Sequence, residues 1–143
     1  PMIFANSILK KEPINIYNNG DMKRDFTYID DVVEIIKRLI NKPPTKYENF
    51  NHDNLNPSES WSPYLIFNVG NSEPINLLDF IKVLEEEIGE KAIKSFQPMF
   101  AGDVKQTFSD STKIKDYIQF SPNTSLNLGI KDFVRWYKNY YDL

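Results

Sequence analysis

Residues 22–32 read Met22-Lys23-Arg24-Asp25-Phe26-Thr27-Tyr28-Ile29-Asp30-Asp31-Val32. Arg24 to Tyr28 reads as a short strand. Asp30 or Asp31 is placed to cap a helix behind it, and Glu34, three residues after Asp31, completes a capping box. The spacing of Val32, Val33, Ile35, Ile36, Leu39 and Ile40 predicts the buried face of that helix, which Lys42-Pro43-Pro44 ends. Upstream, apolar residues recur at helical spacing from Met2 to Lys11, and Glu12-Pro13 stops the pattern. Ile14 to Tyr17 alternates apolar and polar as a half-buried strand does, and Asn18-Asn19-Gly20-Asp21 is a turn signal.

Downstream, residues 43–63 are poor in aliphatics and rich in Asn, Pro and Ser, which predicts a long loop. Tyr64 to Gly70 is nearly continuous apolar sequence, the pattern of a strand covered on both faces in a parallel sheet. Asn76 is placed to cap a helix carrying Leu77, Leu78, Phe80, Ile81, Leu84 and Ile88 along one side, with Gly89 marking its end. A weak strand from Lys91 to Gln97, a loop from Pro98 to Asp103 and an extended piece at Thr107 to Ser109 follow. Asp110 is expected to cap a helix from Ser111 to Ile118. A last helix begins near Ser125 and buries Leu126, Ile130, Phe133, Val134, Tyr137 and Tyr141.

Composition bounds the function. The 143 residues are 41% hydrophobic and 14% aromatic, enough for one ordinary core, and residues 1–143 read as a single region. Seventeen basic residues are interspersed among twenty acidic ones, for a formal charge of -3, and gather into no basic stripe, so no electrostatic footprint for nucleic acid exists. The absence of cysteine removes disulfides and thiolate metal sites. The single histidine, His52, falls in the long loop and reads as an exposed loop residue, neither a metal ligand nor the base of a Ser/His/Asp hydrolase. No apolar run reaches the ~20 residues of a membrane span. The chain is expected to be cytoplasmic. It starts at Pro1, directly before a helical pattern, as an excerpt from a longer protein would.

Searches for catalytic constellations fail. There is no Gly-x-Gly-x-x-Gly cluster and no Gly-x-x-x-x-Gly-Lys loop to cradle a pyrophosphate, and no tyrosine is followed by a lysine four residues later. Two polar groups on loops between well-patterned elements remain. Arg24 could grip a phosphate with paired hydrogen bonds, or form a salt bridge with a neighbouring carboxylate. Asp103 could accept hydrogen bonds from a ribose diol, with Gly102 allowing close approach, or serve as a turn aspartate.

The segment Arg24-Asp25-Phe26-Thr27-Tyr28-Ile29-Asp30-Asp31-Val32 closely resembles a signature of extended short-chain dehydrogenase/reductases that act on nucleotide sugars, most of all the UDP-glucuronate 4-epimerase group. Ile14 to Gly20, Phe67 to Ser72 with Pro74-Ile75, Pro98 to Asp103 with Thr107 and Asp110, and Phe133 to Tyr137 fall in the family's order, so the resemblance covers essentially the whole chain. It implies an α/β fold: the C-terminal substrate-binding portion of an extended Rossmann-type enzyme, with pieces that pack on the Rossmann sheet, namely the helix from Asp31 and the strand from Leu65. It further implies an isomerase of carbohydrate metabolism and polysaccharide biosynthesis that oxidises the sugar at C4, lets the keto sugar reorient and reduces it again. NAD and the catalytic tyrosine and lysine would sit on an N-terminal domain absent from this chain, so no catalytic or cofactor residue is expected here, and no turnover. Arg24 would contact the diphosphate of a UDP-sugar, Asp103 its ribose, and the strand carrying Ile16 and Tyr17 would border the uracil. Related enzymes are commonly homodimers.

One departure is Phe100, where galactose-type epimerases place a second arginine. Two other readings are a dTDP-sugar 4,6-dehydratase or decarboxylase of the same superfamily, and a binding module without catalysis. The Asn18-Asn19-Gly20 turn with Met22 ahead of Arg24 favours the glucuronate epimerases. The unpaired look of Leu65 to Gly70 argues against a self-sufficient module.

Overall fold

Residues 1–47, 50, 51, 53 and 56–143 are described in the computed structural model of the protein, so the expectation for His52 lies outside the described residues. The elements among them run α1 (Met2–Leu9), β1 (Pro13–Ile16), a 3-10 turn (Tyr17–Gly20), β2 (Lys23–Asp25), α2 (Ile29–Ile40), β3 (Pro74–Asn76), α3 (Leu77–Ile88), β4 (Ile93–Phe96), α4 (Thr112–Ile118) and α5 (Leu126–Tyr140). They divide into two units. The first gathers residues 1–26, 73–108 and 124–143, and the second residues 27–72 and 109–123.

In the first unit β1 pairs in parallel with β4, Pro13 opposite Ile93 and Ile16 opposite Phe96. The antiparallel pair β2–β3 sets Lys23 opposite Asn76 and Asp25 opposite Pro74. Two-stranded ladders are marginal in water, so apolar packing has to hold them. The alternation of β1 sends Ile14 and Ile16 inward, where they join Ala5 and Ile8 of α1, Phe80, Ile81 and Leu84 of α3, and Ile130 and Val134 of α5. Each fully buried side chain of this size contributes roughly 1.5–3 kcal/mol. Phe80 is the largest of them, with Phe26 stacked on its ring at 4.6 Å.

The turn signal after β1 is realised with Asn18 and Asn19 at φ 50° and 51° and Gly20 at φ 83°. A β-carbon on Gly20 would stand 2.9 Å from Leu78 Cδ2, so both conformation and space call for glycine. The helix ends follow the sequence closely. Gly89, at φ 87°, closes α3 and donates its N–H to the Glu85 carbonyl at 2.9 Å. Ser125 Oγ accepts from the Leu128 N–H at 3.4 Å at the start of α5. Tyr141, expected inside, is instead exposed just past the end of α5.

One carboxylate is buried in this unit. The Glu85 side chain, 3% exposed, accepts hydrogen bonds from Lys91 Nζ at 3.0 Å, from the Ala92 N–H at 3.1 Å and from Lys94 Nζ, tying the approach to β4 onto α3. Burial pushes its pKa up, but the Lys94, Lys91 and Ala92 hydrogen bonds outweigh burial and hold it below the usual glutamate value.

In the second unit Ile35 of α2 and Ile114 and Ile118 of α4 form the centre, with Leu39, Phe67, Val69, Tyr117 and Phe120 packed against them. Three expectations change here. The capping box does not form: Tyr28 is the N-cap, with extended backbone and no side-chain cap bond. Asp31 accepts from the Asn123 N–H at 3.2 Å, and Glu34 holds Arg38 at 2.8 Å and Lys37 at 3.1 Å, four and three residues ahead on the same helix face. Of the apolar face expected on α2, only Ile35 is deeply buried, while Ile29, Val33, Ile36 and Ile40 form an exposed stripe at helical spacing. Residues 64–70, expected as a strand, contribute only the isolated bridge of Leu65 with Glu59, because no other described segment pairs with them and a strand exists only by its ladder. The aspartate expected to cap α4 does bind its first turn: Asp110 accepts from the Thr112 N–H at 3.0 Å.

Candidate functional site

Within the first unit, α1, β1 and the segment from Tyr17 to Arg24 wall a cavity of about 460 Å³. Tyr17, Arg24 and Asp103 all line it. Arg24 is held by its strand: β2 pairs with β3 on one side, and Lys23 bridges to Gln106 on the other. Its Nη2 donates to Asp103 Oδ1 at 2.9 Å, and its Nη1 donates to the carbonyl of Lys23 at 2.9 Å and to that of Lys105 at 3.4 Å. The two side chains are 25% and 32% exposed, half withdrawn from water at the cavity edge.

Asp103 is positioned by a tight turn. Its N–H donates to the Phe100 carbonyl at 3.1 Å, its Oδ1 accepts from the Val104 N–H at 2.8 Å, and Gly102 before it sits at φ 87°. Phe100 turns the other way and meets the ring of Tyr17 edge-on at 5.7 Å. So a cation and an anion 79 positions apart in the sequence are brought by the fold to one wall. The guanidinium can grip an anion through its remaining donors, and the carboxylate can accept from hydroxyl groups. A cavity with an aromatic ring, apolar walls and two opposed charges suits a ligand that is part planar and part ionic.

The structure brings three of the four sequence-chosen residues together and leaves one out. Ile16 is fully buried in the core and does not line the cavity; β1 presents Ile14 and Asn15 there instead. The strand's alternation explains Asn15, whereas Ile14 shares the inward face of Ile16 and still lines the cavity. Phe4 and Ser7 of α1 also reach the cavity, and nothing in their helical spacing marked them. Among the described residues no group of three or more His, Asp or Glu side chains could hold a metal ion. No helix among them is long and apolar enough to cross a membrane. Gly20, Gly70, Gly89, Gly102 and Gly129 are scattered singly along the sequence and make no Gly-x-Gly-x-x-Gly motif.

Comparison with known proteins agrees with the architecture. The model of the NAD dependent epimerase/dehydratase family matches residues 2–52. Protein CapI of Staphylococcus aureus is 36% identical over 138 residues, covering 96% of this chain and 41% of that protein. A probable UDP-glucuronate 4-epimerase of Rhizobium meliloti is 36% identical over 139 residues with the same two coverages. Among solved structures, the UDP-glucuronic acid 4-epimerase from Bacillus cereus in complex with NAD superposes with a TM-score of 0.71 at 28% identity, covering 97% of this chain and 38% of that one. The chain thus spans about two fifths of the length of the curated relatives it matches. The mixed helix-and-strand arrangement is that of part of a Rossmann-type epimerase/dehydratase. Nearly the whole length of the chain is thus similar to part of these proteins, and its first third matches the NAD dependent epimerase/dehydratase family.

Proposed function

We propose that this chain is the nucleotide-binding part of an NAD-dependent nucleotide-sugar epimerase, an isomerase that inverts C4 of UDP-glucuronate. In this reading Arg24 binds the diphosphate, Asp103 the ribose hydroxyls, and Tyr17 with the adjoining edge of β1 borders the uracil. NAD and the groups that move protons at the sugar belong to an N-terminal domain of the same protein, and the chain by itself turns nothing over. That domain also covers the exposed stripe of Ile29, Val33, Ile36 and Ile40 on α2. The whole enzyme is a cytoplasmic homodimer.

The observation that carries the reading is the convergence of Arg24, Asp103 and Tyr17 on one cavity from distant parts of the chain. A lone salt bridge would not need a cavity beside it. Calorimetric titration with UDP tests the reading, with dTDP as the control nucleotide and Arg24→Ala as the variant. Saturable binding of UDP, weakened about ten- to hundredfold in the variant, is expected from the loss of charge-assisted hydrogen bonds. A protein that binds no UDP, or UDP binding that Arg24→Ala leaves intact, overturns it. Tighter binding of dTDP than of UDP would favour a dehydratase.

A further inference from the structure

Arg24 sits mid-strand, with neighbours on both sides of β2. On one side the β3 ladder sets it opposite Ile75. On the other, one isolated parallel bridge of Lys23 with Gln106 joins β2 to the segment that carries Asp103. That bridge has two backbone bonds, from the Lys23 N–H to the Lys105 carbonyl at 2.9 Å and from the Thr107 N–H to the Lys23 carbonyl at 3.2 Å. A regular parallel ladder would continue from the Asp25 N–H to the Thr107 carbonyl. Here the half-buried Thr107 side chain takes that place, its Oγ1 accepting from the Asp25 N–H at 2.9 Å. The chain leaves the first unit one residue later, after Phe108. A hydroxyl thus supplies the last tie to β2 where the backbone ladder stops.

The tie bears on the guanidinium through shared acceptors. The Lys105 carbonyl that receives the Lys23 N–H also receives Arg24 Nη1 at 3.4 Å, and Asp103, just ahead of it in the chain, holds Nη2 at 2.9 Å. A slip of one residue between β2 and this segment would carry both acceptors about 3.3 Å along the strand and off the guanidinium. We propose that Thr107 is a positioning residue: its hydroxyl fixes the register of residues 103–107 on β2, and with it the pose in which Arg24 faces the cavity. Thr107 itself does not line the cavity, so it acts through Arg24 and not on the ligand. The inference rests on the proposed nucleotide site and adds to it a residue outside that site on which the site's cation depends.

The test compares Thr107→Val, which keeps the shape of the side chain and removes the hydroxyl, with Thr107→Ser, which keeps the hydroxyl. UDP affinity is measured by calorimetry, and amide exchange by NMR without ligand. Thr107→Val is expected to weaken UDP binding about three- to tenfold, the scale of one neutral hydrogen bond, because fewer molecules hold Arg24 in the binding pose. Thr107→Ser should bind within about twofold of the parent. In an Arg24→Ala background Thr107→Val should change UDP affinity by less than about twofold, since the residue it positions is gone. The Lys23 amide, whose own acceptor neither substitution touches, should exchange about three- to tenfold faster in Thr107→Val alone. Unchanged Lys23 exchange, or an equal loss of UDP affinity in both backgrounds, overturns the inference. So does a lowered urea midpoint with UDP affinity kept, the signature of a purely structural threonine. UDP binding weakened by Arg24→Ala but unchanged by Thr107→Val refutes the positioning role alone. UDP binding that is absent, or indifferent to Arg24→Ala, refutes the nucleotide site and the positioning role together.

Discussion

Replacing Glu85 with glutamine should lower the stability of the first unit by about 1–2 kcal/mol at neutral pH, and the loss should fade in acid. The carboxylate is 3% exposed and takes three hydrogen bonds, two from lysines. Glutamine retains one oxygen for the Ala92 N–H, so that bond survives. What goes is the charge assistance, worth about 1.5–3 kcal/mol per bond against about 1 for a neutral one. Lys91 is 78% exposed and its share is largely screened, so Lys94, at 33%, supplies most of the difference. The amide also turns two donors toward ammonium groups that can only donate, offset in part because a buried amide costs less to desolvate than a buried charge.

The sign with pH follows from the depressed pKa. Glu85 in the folded protein ionises below its ordinary value of 4.5, so its contribution is present above that value and is lost as pH falls through the folded-state value. Urea unfolding followed by Trp136 fluorescence, in a Trp61→Phe background so that only α5 reports, should show the midpoint lowered by about 0.5–1 M at pH 7. The gap between the two proteins should narrow steadily as pH drops below 4.5, the ordinary glutamate value, and through the lower folded-state value. A gap that is the same at all pH values, or a variant as stable as the parent at pH 7, would refute the account of Glu85 as an ionised clasp between α3 and β4.

Phe80→Ala should destabilise the first unit by about 3–5 kcal/mol, because it empties the centre of the core and leaves Phe26 without its stacking partner; urea unfolding measures it. Neighbouring residues of α2 should behave oppositely. Ile35→Ala is expected to cost about 2–5 kcal/mol, and Ile36→Ala at most about 0.5, as read by thermal unfolding of the two variants side by side. Equal losses would mean that the stripe on α2 is covered in solution.

The helices were legible because each carries its own punctuation. Pro13, Gly89, Ser125 and the periodicity between them are local signals, and the structure places helix ends within a few residues of them. The face of α2 was legible only in part, since Val32, Val33, Ile35, Ile36, Leu39 and Ile40 make one broad apolar face whose width does not say how much of it the chain's own residues cover. The strand expected at Tyr64 to Gly70 failed for a related reason: apolar continuity reports that a segment wants neighbours, not that this chain contains them. Pairing of β1 with β4 joins residues 80 apart, Pro13 to Ile93, and no local pattern encodes it. For the site, Arg24 and Asp103 stood out as polar residues at element ends, but their contact depends on that long-range closure. Ile16 was assigned to the ligand side because the strand was chosen as a whole, but only its first three residues line the cavity, Ile14 among them although it shares the core face of Ile16.

The first unit is built from three separate stretches of chain: the chain leaves it after residue 26, returns at 73, leaves again after 108 and returns at 124. During synthesis α1, β1, α3 and β4 are therefore all made while α5, which supplies Ile130 and Val134 to their shared core, does not yet exist. At about 5–20 residues per second the ribosome needs roughly 2–9 s to travel from the end of β4 to the end of α5. For that interval Phe80, Ile81 and Leu84 lack part of their cover, and the nascent chain presents the kind of surface that chaperones bind.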